Sequence, residues 1–173
     1  MSQPRYIRNY QVIGVNTQGN LADRFRQSIA PPYGHDETDF EACLWDGMVA
    51  TEMNAYRRPE DGKQHARGIF ELTVDINMQN RRKTLHGGCI ATLIDVCTSL
   101  VLNAIHDEPS VTQVLDTVFH APVPTGARVR IVCDTISIGK RAITLRCEVW
   151  DITNNRLAAT GVHVKMSPSP AKL

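Results

Sequence analysis

The chain has 173 residues, 42% of them hydrophobic and 21% charged, which suits one domain with its own core and excludes an intrinsically disordered segment. A formal net charge of +1 at pH 7 gives no electrostatic case for nucleic acid or an anionic membrane surface. The five cysteines (Cys43, Cys89, Cys97, Cys133 and Cys147) form no Cys-x-x-Cys pair and sit in apolar patterns, so they read as reduced core residues of an intracellular protein.

Residues 1–40 read as an N-terminal extension. Asn20 is placed to cap a short helix, Leu21–Ile29, which Pro31-Pro32 would end. No apolar stretch of signal-peptide type stands there. Arg5, Arg8, Arg24 and Arg26 raise a mitochondrial presequence, but Ser richness and an amphipathic stripe are missing. Residues 33–41 form an acidic loop whose His35, Asp36 and Asp39 follow no recognised metal-ligand spacing. From 41 to 166 a single domain is expected. Cys43–Met53 suits a strand, and the charged Arg57–His65, with Pro59 and Gly62, a loop. Gly68–Ile76 alternates polar and apolar residues, as a strand with one wet face does.

The stretch Thr84-Leu85-His86-Gly87-Gly88 opens an apolar run that continues to about Ile105 without a further Gly or a Pro. It is too long for an ordinary strand and long enough for a five-turn helix. Ile90, Leu93, Ile94, Val96, Cys97, Leu100 and Val101 go most of the way round it, which is the pattern of a buried helix. Asp95 and Asn103 interrupt the run, and it falls short of a membrane span. Thr92, Asp95 and Ser99, three and four apart, make one narrow polar stripe. A carboxylate in such a place is costly unless it is paired or used. Gly87 and Gly88 keep side chains away from the unpaired N–H groups of the first turn, where an anionic ligand atom would be welcome.

Four strand-like runs follow: Val111–Phe119, Arg128–Ile138, Ala142–Trp150 and Leu157–Met166, with hairpin signals at Gly139-Lys140 and Asn154-Asn155. An antiparallel meander of the four is the simplest arrangement. Residues 167–173, rich in Pro, form an exposed tail. Two strands, one helix apolar on all sides and four strands define an α+β class: an antiparallel sheet of about six strands wrapped around one long central helix. A helix so apolar can also leave surface for a second copy of the chain.

The residues Asn80, Thr84-Leu85-His86-Gly87-Gly88, Leu93 and Asp95, followed by the strands, resemble the signature of the PaaI-like, THEM2-type acyl-CoA thioesterases of the hotdog fold. The likeness runs from about Phe70 to Met166. It implies hydrolysis of an acyl-CoA to a free acid and coenzyme A, with coenzyme A as part of the substrate and no metal or other cofactor. It implies a dimer, or a dimer of dimers forming a homotetramer, with each site at an interface and two antiparallel helices. The resemblance gives Gly87 the role of oxyanion donor and Asn80 that of orienting the carbonyl or the water. It makes Asp95, from the other subunit, general base or nucleophile, and Thr112 the helper for the water, with Gln113 a weaker match. His86 and Gly88 complete the loop around the substrate, and Arg81, Arg82 and Lys83 are candidates for the coenzyme A phosphates. Lys140, Arg141 and Lys165 are weaker ones. The chemistry asks for these parts independently: an N–H at a helix start for the developing oxyanion, and a carboxylate to activate water.

Each residue also has a structural reading. Asp95 can be a buried acid satisfied by Thr92 or Ser99, Asn80 a turn residue, His86 a helix-start histidine and Cys89 a core filler. Two rival functions remain at this stage: an acyl-CoA-binding hotdog protein without turnover, and a hotdog hydratase or dehydratase, whose Asp/His motif is not found here. The terminal Ala171-Lys172-Leu173 resembles the peroxisomal tripeptide signal with Ala in place of Ser, so for a eukaryotic source a peroxisome and its import receptor are expected, with cytoplasm or mitochondrion as alternatives.

Overall fold

The computed structural model describes residues 47–168, together with 15–16, 40 and 44. The helix expected over Leu21–Ile29, most of the acidic loop, Cys43 and the Ala171-Lys172-Leu173 tail lie outside the described residues. The strands are β1 (Val15–Asn16), β2 (Val49–Arg57), β3 (Gln64–Thr73), β4 (Val111–Phe119), β5 (Arg128–Ile138), β6 (Ala142–Asp151) and β7 (Arg156–Met166). The central helix, α1, spans Gly87–Asn103, and a 3-10 turn at Ile76–Met78 precedes it.

One sheet holds all seven strands in the order β1-β2-β3-β5-β6-β7-β4. Six long strands pair antiparallel, and the two-residue β1 lies parallel to β2. The expected meander therefore holds for β5, β6 and β7 only. β4 pairs with β7 at the sheet edge, Leu115 opposite His163. The reason lies in the connection from β4 to β5. Pro122 and Pro124 cannot donate to a ladder, and buried Val123 accepts from the Leu85 N–H at 2.7 Å. This segment crosses the start of α1 and carries the chain over to β3, beside which β5 pairs.

Two boundaries also move. The expected Cys43–Met53 strand begins at Val49 and runs to Arg57, and β3 starts at Gln64, four residues ahead of the alternation. The β2–β3 loop is correspondingly shorter, and its basic side chains grip the distal end of β5. Arg58 donates to the Ile136 carbonyl at 2.7 Å and Lys63 to the Ile138 carbonyl. That end is opposite to Pro124 and the start of α1, so this loop does not cover the helix N-terminus.

α1 packs across β3 to β7. His86 caps it, its Nδ1 accepting from the Gly88 N–H at 2.9 Å, and Pro109 marks the exit after Ala104. Leu93, Ile94, Cys97 and Val101 are fully buried beneath it, each large aliphatic worth about 1.5–3 kcal/mol of burial. Close approach needs two strand glycines. A methyl group at Gly161 would stand 2.8 Å from Ile94, and one at Gly68 2.5 Å from Val101. The face of the sheet away from α1 is charged, with Glu71 held by Arg128 and Arg130 and Asp134 by Arg67. No helix among the described residues is long and apolar enough to cross a membrane.

Candidate active site

The loop before α1 is a tight turn built around Asn80. Its main-chain N–H donates to the Thr84 carbonyl at 2.7 Å, closing the bridge Gln79–Leu85. Its side-chain oxygen accepts from the N–H groups of Arg82 (2.8 Å) and Thr84 (3.3 Å), while Nδ2 donates to the Thr84 hydroxyl at 2.9 Å. One amide hydrogen of Asn80 is left for a ligand. Lys83 pays for the turn with a left-handed backbone, φ +62°, uncommon outside Gly and Asn. Arg81, Arg82 and Lys83 are exposed at its tip. Gln79, Asn80, Arg81, Arg82 and His86 line an open cleft of about 470 Å³.

At the helix start the two glycines differ. The Gly88 N–H is taken by His86, which makes His86 a cap and leaves its other ring nitrogen toward solvent. The Gly87 N–H has no partner among the described residues, so the open donors expected from the glycine pair narrow to this one. The Phe119 ring borders the residue on its side-chain side, 3.5 Å from where a methyl group at Gly87 would stand. A lone N–H at the positive end of a 17-residue helix is a donor for developing negative charge. Cys89, two residues on, packs against the core.

Two turns further along α1, Asp95 meets β4 and β7. Its Oδ1 accepts from the Thr112 hydroxyl at 3.2 Å and stands 3.3 Å from Nε2 of His163. Thr112 also lies 3.0 Å from that nitrogen, and Nδ1 of His163 is 2.6 Å from the Thr98 hydroxyl. The Thr98 hydroxyl beside Nδ1 also donates to the Ile94 carbonyl at 2.6 Å. Burial first, and the Lys165 ammonium second, push His163 down to about 4 against the pull of Asp95. His163 is thus neutral at pH 7, and its 3.3 Å contact with Asp95 is not an ion pair. The second oxygen of Asp95 has no partner among the described residues, and the side chain is 42% exposed. A carboxylate oriented through one oxygen and open at the other is arranged to take a proton from water.

The structure therefore brings Asp95 and Thr112 together, and groups Asn80, His86, Arg81 and Arg82 around the cleft. Gln113 is the bulged residue of β4, exposed, and no hydrogen bond ties it to Asp95. Lys165 is buried and donates to half-buried Ser99, and Lys140 and Arg141 lie in the β5–β6 turn. His163 escaped the sequence reading. In Leu157–Met166 the larger apolar residues Val162, Val164 and Met166 alternate with Gly161, His163 and Lys165, so hydropathy points His163 outward, whereas the structure buries His163 and Lys165. No group of His, Cys, Asp and Glu among the described residues is placed to hold a metal ion.

A helix wrapped by an antiparallel sheet, with an open N–H at its start and an oriented carboxylate at its middle, is a hotdog domain with the parts for acyl transfer. The chain belongs to the Thioesterase superfamily, whose profile matches residues 82–158. Human acyl-coenzyme A thioesterase 13 is 32% identical over 101 residues, 56% of this chain and 70% of that protein. Among solved structures, mouse thioesterase superfamily member 2 superposes with a TM-score of 0.65 at 20% identity, over 86% of this chain and 96% of the other. A Streptococcus mutans protein bound to acetyl CoA superposes with a TM-score of 0.56 at 19% identity, over 61% and 84%.

Proposed function

We propose that the protein hydrolyses acyl-CoA thioesters, with fatty acyl-CoA the leading substrate class, and that it does so as a dimer whose sites are shared. The observation that carries this reading is the Asp95 carboxylate, held at one oxygen by Thr112 and His163 and open at the other, on the same helix as the unengaged Gly87 N–H. Water attacks the thioester carbon as its proton passes to Asp95. The oxyanion that forms is stabilised by Gly87. The C–S bond then breaks, and the proton returns to the departing thiolate.

Eight residues separate Gly87 from Asp95, a rise of about 12 Å along a helix. Both cannot serve one carbonyl carbon from a single chain. A two-fold axis with antiparallel helices brings Asp95 of one copy to Gly87 of the other. β4 fits such a junction: it is a sheet edge, and Val111, Val114, Val118 and Phe119 on it are exposed. A dimer of dimers is the further assembly proposed. Asn80 orients the carbonyl or water with its remaining amide hydrogen, His86 lines the cleft, and Arg81, Arg82 and Lys83 face the coenzyme A phosphates. The curated relative's name and the acetyl CoA held by the S. mutans protein support this reading.

The test is thiol release from short, medium, long and aromatic acyl-CoAs by wild type and Asp95→Asn. Turnover by the wild type that falls about 10²-fold or more in the variant is expected. Saturable acyl-CoA binding without turnover would instead identify a binding protein, and equal turnover by the two forms would remove Asp95 from the mechanism.

A further inference from the structure

Lys165 is a buried charge beside the site with a single hydrogen-bond partner among the described residues. It lies on β7 two residues after His163 and opposite Thr112 of β4, and it is only 7% exposed. Its ammonium donates to the Ser99 hydroxyl at 2.8 Å, and no other hydrogen bond to it forms among the described residues. A buried ammonium with one neutral partner is costly unless an opposite charge compensates. Ser99 is one helical turn after Asp95, so Asp95 is the carboxylate on the same face of α1. It does not touch Lys165, yet it is the charge that offsets the effect of burial on it. The charged and titratable groups of this cluster are Asp95 from α1 and His163 and Lys165 from β7. Thr112 is the contribution of β4, and β6 sets apolar Ile143 opposite Lys165.

Asp95 and His163, 3.3 Å apart, are two potential proton acceptors sharing one place. A proton taken from water can end on either, and a fixed positive charge nearby decides between them: it favours the anion and opposes a second cation. We propose that Lys165 is a positioning residue of the reaction, its ammonium seated on Ser99 behind the Asp95–Thr112–His163 cluster so that Asp95, and not His163, takes the proton from the attacking water. This rests on the thioesterase reading above. The depressed titration of His163, to which Lys165 contributes after burial, agrees with it. The ammonium moves no proton itself. It is lent by burial to the one place where removing it changes which group is the base.

The test uses the full chain as wild type, Lys165→Met and Lys165→Arg. Methionine keeps the apolar stem and removes the charge, and arginine restores the charge. The first readout is the NMR titration of the His163 ring. It is expected near 4 in the wild type, raised by about one unit or more in Lys165→Met, and returned toward the wild-type value in Lys165→Arg. The second is the pH profile of kcat/KM: its acid limb moves to higher pH in Lys165→Met, with kcat lowered about tenfold below the limb for each unit moved and KM little changed. A His163 titration that is the same in all three proteins overturns the proposal, as does a loss of kcat in Lys165→Met that is uniform in pH and not rescued by arginine. A wild type that turns over no acyl-CoA defeats the thioesterase reading, while the His163 titration still decides whether Lys165 controls the proton.

Discussion

His163 is fully buried among Thr98, Thr112 and Asp95, and its protonation connects the site to folding. Its pKa is lowered in the folded chain to about 4, below the ordinary 6.5. Below pH 6.5 the unfolded chain therefore binds a proton that the folded chain does not. The stability associated with neutral His163 is fully present above pH 6.5, declines as pH falls, and stops declining below about 4. Urea unfolding between pH 7 and 4 reads this slope directly. His163→Gln is expected to flatten it in that window, and an unchanged slope would show that His163 is not held neutral. The same interval bears on the proposed catalysis, because a charged His163 would place a cation beside the Asp95 carboxylate.

At the scale of the element, α1 sits close to the sheet because Gly161 and Gly68 carry no side chain beneath Ile94 and Val101. Gly161→Ala places its methyl group 2.8 and 3.0 Å from Ile94 and 3.3 Å from the Asp116 carbonyl, and should cost about 1–3 kcal/mol, measured by chemical denaturation. A cost below a few tenths would show that helix and strand have room to part. The helix itself was legible in the sequence: its unbroken apolar run and the histidine before two glycines are local features, and its observed end at Asn103 is two residues short of the run. The family likeness pointed to Asp95 and Thr112, which the structure brings within 3.2 Å of each other. Alternation gave β5, β6 and β7 nearly to the residue. The place of β4 was not legible, because strand pairing over 40 or more residues is set by where α1 lets the connection cross. His163 was missed for the same reason: its partners Thr98 and Thr112 stand 65 and 51 residues away.

The whole molecule joins an edge strand with exposed apolar residues to a site whose two halves are two helical turns apart. The two-fold assembly proposed above answers both features at once, with Asp95 of one copy and Gly87 of the other acting on the same thioester. In that proposal the residues of the loop at 80–84 face coenzyme A from the same copy as Gly87, and the Asp95–Thr112–His163 cluster comes from its partner. The most direct measurement is complementation between two crippled forms, Asp95→Asn and Gly87→Ala. The added methyl group makes only ordinary contact with Phe119 at 3.5 Å, so Gly87→Ala should fold while crowding the oxyanion position. Each form alone is expected to lose about 10²-fold in kcat or more. Co-expressed, they form mixed dimers in which one of the two sites has both Asp95 and Gly87 intact. Random pairing then restores about a quarter of wild-type turnover. A co-expressed mixture no more active than the single variants would contradict a site shared between two copies.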